Sequence, residues 1–134
     1  MARNLLVMFP VAEGERLVKA LEEDGLDFQA AFWIQKEETE EWYLMIATRL
    51  VEEWGPRKVY ERIRSVLSKV QPPLENMTFQ DVVVVSPHRE PVRSLRKQID
   101  AAKNAIASLS PAYVSIEGYG SDAYIYRLPG KETQ

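Results

Sequence analysis

Between residues 28 and 48 the chain alternates in two segments, and both registers of the alternation are largely apolar. Phe28, Ala30, Phe32 and Ile34 interleave with Gln29, Ala31, Trp33 and Gln35. After the polar segment Lys36-Glu37-Glu38-Thr39-Glu40, Trp42, Leu44, Ile46 and Thr48 interleave with Tyr43, Met45 and Ala47. A period of two reads as strand, and two such strands around a short polar segment read as a β-hairpin. An antiparallel hairpin open to water on one side keeps its apolar residues on one face. Here Phe28, Ala30, Phe32, Ile34, Trp42, Leu44 and Ile46 are expected on one face. Ala31, Trp33, Tyr43, Met45 and Ala47 are expected on the other. Such a sheet has to be covered on both sides, by helices or by a second chain.

The rest of the pattern supplies helices and further strands. From Ala12 to Asp24 apolar residues fall on one helical face, and Gly25 with Leu26 fits a left-handed helix stop. Gly55-Pro56 opens a second helix, with Val59, Ile63, Val66 and Val70 as its buried stripe and Gln71-Pro72-Pro73 as its end. Phe79 to Ser86 contains four consecutive valines and reads as a central strand buried on both faces. A third helix is expected over 91–109, and a closing hairpin pairs Ala112–Glu117 with Ala123–Leu128. A chain of 134 residues, 46% of them hydrophobic, is the size of one domain, taken as 1–134. The expected class is α+β: a mixed five-stranded sheet, two hairpins joined through a central strand by crossover helices, packed with about three helices.

Composition removes several kinds of chemistry. With no cysteine, thiolate chemistry is excluded; with one histidine besides, structural zinc is not expected, nor any other metal or cofactor. No stretch approaches the ~20 apolar residues of a membrane span. The run Leu5 to Phe9 is too short for a signal peptide, so no membrane partner and a cytoplasmic location are expected. Glu37, Glu38, Glu40 and Glu41 at the hairpin turn, and Glu52-Glu53, read as exposed acidic surface rather than a Mg²⁺ site.

Two overlapping basic sets remain. Ser86, His88, Arg89 and Arg93 lie where a buried strand leads into a helix, a place where an anion can meet unpaired N–H groups and positive charge. Along the following helix Arg93, Arg96, Lys97 and Lys103 share one arc that could lie against nucleic-acid phosphates. Catalytic residues are not assigned: Ser86 and His88 stand on one loop without the glycines of a nucleophile elbow. The aromatic surplus points to a self-association surface at Trp33, Tyr43 and Met45, hence a homodimer.

Scattered motifs resemble a group of short, uncharacterised bacterial proteins of unknown function. They are Ala31-Phe32-Trp33, Glu41-Trp42 with Ile46-Ala47-Thr48, Gly55-Pro56-Arg57, Val84-Val85-Ser86-Pro87, Val92-Arg93-Ser94-Leu95-Arg96 and Asp122-Ala123-Tyr124-Ile125-Tyr126-Arg127. The resemblance spans roughly 12–128 and implies a free-standing domain without implying an activity. Three functions stay open. The leading one is a small non-enzymatic binding or scaffolding protein acting as a homo-oligomer. The others are a nucleic-acid-associated protein using the basic helix 91–109, and an enzyme acting on an anionic substrate at the 86–93 loop.

Overall fold

The computed structural model describes residues 10–35, 41–102, 112–116 and 121–127. Helix α1 (Val11–Glu23) buries Gly14, Leu17, Val18 and Leu21 along one face. It ends as the sequence indicates. Gly25 takes φ +86°, its N–H donates to the Glu22 carbonyl at 3.1 Å, and Leu26 N–H reaches back to the Leu21 carbonyl at 3.1 Å.

Strands β1 (Ala30–Gln35) and β2 (Trp42–Ala47) form the expected antiparallel hairpin. Short helix α2 (Leu50–Trp54), which the sequence pattern did not signal, precedes α3 (Pro56–Lys69). Gly55, at φ +91°, separates the two helices. A 3₁₀ turn at Phe79–Asp81 leads into β3 (Val82–Val85), followed by α4 (Val92–Ala102), β4 (Ala112–Ile116) and β5 (Ser121–Arg127). The outcome is an α+β fold with a mixed sheet in the order β3-β2-β1-β5-β4, in which only β2 and β3 run parallel. The Leu5–Phe9 run, the 36–40 turn, the 103–109 part of the expected third helix and the 118–120 turn lie outside the described residues.

Two expectations are corrected. The valine strand is at an edge, and β1 is the centre, because β1 pairs directly with β5 and so joins the hairpins without β3. Nor is it buried on both faces: Val82 is buried, but Val83, Val84 and Val85 are half-buried, so a run of valines marked neither the neighbours of the strand nor the coverage of its faces. The second correction concerns the faces of the hairpin. Trp33 opposes Leu44 and Ala31 opposes Ile46, while Phe32 opposes Met45 and Ile34 opposes Tyr43. Each opposed pair joins an even to an odd position, so Trp42, Leu44 and Ile46 share a face with Ala31 and Trp33. A register change of one residue exchanges the faces of a whole strand.

The helices divide between the two faces. On one side α1 and α3 pack Leu17, Leu21, Val59 and Ile63 against Trp33, Leu44 and Ile46. On the other, Val92 and Leu95 of α4 cover Ala30, Phe32, Ile34 and Ala123. This places Trp33 inside the monomer at 1% exposure, against its expected role as an interface anchor. Its Nε1–H donates to Tyr126 Oη at 2.9 Å, and the Tyr126 hydroxyl donates to the Val11 carbonyl. Burial pushes the Tyr126 phenol far above its ordinary value, so it stays a neutral donor. Tyr43 and Met45 lie on the α4 side, half-buried.

The outer side of β3 is closed from within the chain. Thr48 N–H donates to the Val85 carbonyl at 3.0 Å, which turns Val83 and Val85 toward β2 and Val82 and Val84 outward. The outward Val82 N–H donates to the Phe79 carbonyl, and Val84 N–H to Tyr60 Oη at 2.8 Å. Tyr60 meets Phe79 edge to face at 5.8 Å, and the Arg64 guanidinium lies 4.7 Å above the Phe79 ring.

One carboxylate ties the segment after α3 to α1. Glu13 accepts from the N–H groups of Glu75 (3.0 Å), Asn76 (2.8 Å) and Met77 (3.0 Å), and from the Asn76 side-chain amide at 3.2 Å. Burial pushes its pKa up, but these four donors outweigh it and hold the group below its ordinary 4.5. A folded-state pKa below the unfolded one stabilises above the unfolded value and is lost as pH falls through the folded one. The urea midpoint of Glu13→Gln is therefore expected below wild type at pH 7, with the gap narrowing as pH drops below 4.5. A gap constant from pH 7 to pH 3 would contradict this account.

Candidate anion-binding site

The segment after β3 is fixed from below by a buried serine. Ser86 is 3% exposed; its hydroxyl donates to Glu52 Oε2 at 2.6 Å and accepts the His88 backbone N–H at 3.2 Å. Arg89 N–H closes the turn on the Ser86 carbonyl at 3.1 Å. The Ser86 hydroxyl is thus committed to α2 and its own turn. Its proton goes to a carboxylate and its oxygen to a backbone donor, which is an anchoring role.

The start of α4 is also occupied. Arg93 N–H donates to the Arg89 carbonyl at 3.2 Å and Leu95 N–H to the Pro91 carbonyl at 3.0 Å. Glu90 accepts from Ser94 N–H at 3.1 Å and from Ser94 Oγ at 2.6 Å. The Ser94 donors, with Arg93 and Lys97 nearby, hold the Glu90 carboxyl below its ordinary value. An anion held by free N–H groups at this helix start, as expected from the sequence, is not favoured, because the chain's own carboxylate and carbonyls already take them.

Positive charge gathers one turn further on. A surface hollow of about 480 Å³ is lined by Pro87, His88, Arg93, Arg96 and Lys97. Positions 93, 96 and 97 are spaced i, i+3, i+4, which stacks their side chains on one side of α4. Arg93 and Lys97 are exposed, whereas Arg96 is half-buried. Nε and Nη2 of Arg96 are shielded from solvent and have no hydrogen-bond partner among the described residues. A guanidinium has five N–H donors in a rigid fork and stays charged in any protein environment. Donors removed from water without a partner are unfavourable, and an anion reaching the fork would relieve that.

The two basic sets read from the sequence therefore merge in part. His88 and Arg93 from the loop join Arg96 and Lys97 from the helix arc. Ser86 lies beneath, Arg89 is exposed and does not line the hollow, and Lys103 lies outside the described residues. Glu52 is the residue sequence reasoning missed. It read as surface acid, and no local signal marks its bond to a serine 34 residues away. No group of three metal-ligating side chains is found among the described residues, and no helix among them is long and apolar enough to cross a membrane.

Comparison with protein-family models, with curated proteins and with solved structures finds no match for this chain.

Proposed function

We propose that the protein is a small binding module that takes an anionic, phosphate-bearing ligand in the hollow of His88, Arg93, Arg96 and Lys97. The observation that carries this reading is the Arg96 guanidinium. Two of its nitrogens are out of water and unpartnered among the described residues, and the residue helps to line a hollow whose described lining holds no carboxylate. A charge-assisted hydrogen bond contributes about 1.5–3 kcal/mol, so loss of the Arg96 fork should weaken binding by roughly 10- to 150-fold. Inorganic pyrophosphate titrated into the protein at low salt is the probe, read by calorimetry. Wild type is expected to bind near one per chain, and Arg96→Met, which keeps most of the stem's packing, to lose that binding while melting like wild type. Absence of heat with wild type at millimolar pyrophosphate removes the reading.

The same reading takes the protein as a homodimer, now through the α4 side of the sheet rather than through Trp33. Tyr43, Met45, Val83 and Val85 are half-buried there, toward the β3 edge. A second copy meeting this surface would need only one self-complementary patch. Light scattering should give twice the chain mass for wild type and a single chain for Met45→Glu. A single-chain mass for wild type across the micromolar range would end this part of the reading.

A further inference from the structure

Resting on the reading of the hollow as an anion site, we propose that its ligand is a compact organic phosphate ester, of sugar-phosphate or mononucleotide size, and that polynucleotides are disfavoured there. Two features support this, size and the sign of the charges at the rim.

The hollow holds about 480 Å³, within the range of small-molecule sites and far more than a lone phosphate fills. Its cations come from one short stretch of helix. Arg93, Arg96 and Lys97 span about 6 Å of helix rise, so they converge on one anionic group instead of tracking a strand. Pro87 adds an apolar wall against which an ester's organic body can rest.

Acid stands beside two of these cations. Glu90 is exposed and close enough to Arg93 and Lys97 to be stabilised as an anion by both. A nucleic-acid strand carries a charge at every nucleotide, so a phosphate flanking one seated in the hollow would meet the Glu90 carboxylate. A single ester brings one anionic group rather than a row of them. The chain's net charge of −3 adds no long-range attraction for a polyanion.

The test compares inorganic phosphate, ribose 5-phosphate, adenosine monophosphate and a twelve-nucleotide single strand as ligands of the intact protein at one low ionic strength. At least one of the two esters is expected to bind about tenfold or more tighter than inorganic phosphate, and the oligonucleotide no tighter than that ester. Replacing that carboxylate, Glu90→Gln, keeps an acceptor for Ser94 and should raise oligonucleotide affinity about threefold or more while changing ester affinity less. Inorganic phosphate binding as tightly as both esters overturns the inference and leaves the anion site standing. An oligonucleotide that binds wild type more tightly than either ester also overturns it and makes the ligand a nucleic acid. If none of the four binds, the anion-site reading falls as well.

Discussion

Trp33→Glu unfolds the protein. Trp33 is 1% exposed between α1 and the sheet, in one cluster with Leu17, Leu21 and Leu44, and its indole N–H is bonded to Tyr126 Oη. Glutamate there would lose the largest fully buried side chain among the described residues and place a carboxylate in its site. Truncating a core aromatic removes about 3–5 kcal/mol, and an unpaired buried charge adds several more. That total is comparable with the ~5–15 kcal/mol that holds a domain of this size together. Circular dichroism should show no cooperative melt for Trp33→Glu. Trp33→Phe, which keeps an aromatic ring and loses the hydrogen bond, should stay folded with a lower midpoint. A folded Trp33→Glu protein would place Trp33 on the surface and overturn the packing given above.

Gly14→Ala is expected to destabilise by about 2 kcal/mol, opposite in sign to the usual result. Alanine inside a helix is normally better than glycine by ~1 kcal/mol. At Gly14, however, an added methyl would meet Tyr126 Oη and would stand 2.6 Å from Trp33 Nε1, closer than real side chains tolerate. Both atoms belong to the hydrogen-bonded pair that seats α1 on the sheet, so neither can move without breaking the bond. Overpacking of this kind typically costs about 1–3 kcal/mol, with a lost buried hydrogen bond beyond that. In the Tyr126→Phe background, where the nearest clashing atom is gone but Trp33 Nε1 remains, the same substitution should be less harmful yet still destabilising. Chemical denaturation of the four proteins of this double-mutant cycle measures the coupling. A Gly14→Ala protein more stable than wild type would mean that α1 stands further from β5 than described.

How much of this was legible depended on range. The end of α1 was readable from Gly25 and Leu26, because a Schellman stop is written in adjacent residues. The buried stripe of α3 was readable from the spacing of Val59, Ile63 and Val66. The face shared by Trp33 and Leu44 was not, since it turns on the hairpin register, which alternation within each strand leaves undetermined. The edge position of β3 depends on β1 meeting β5, a pairing about 90 residues apart in the chain. The candidate site shows the same division. His88, Arg93, Arg96 and Lys97 were all singled out as basic residues, but as members of two different surfaces. What joined them was the turn anchored by Ser86 on Glu52 and the seating of α4 through Val92 and Leu95.

The Tyr60 hydroxyl that receives Val84 N–H has a consequence for how this chain behaves in a crowd. A neighbouring strand adds to a sheet by exchanging both N–H and C=O bonds along its border, and fibril growth repeats that exchange. Along β3 the outward donors are already used, by Tyr60 and by the carbonyl of Phe79, so an arriving strand finds acceptors only. Ribbon-like stacking of copies is thereby discouraged on this border and directed toward β4, the opposite one. Tyr60, on a helix and outside the lining of the hollow, acts in this respect as a guard against templated aggregation.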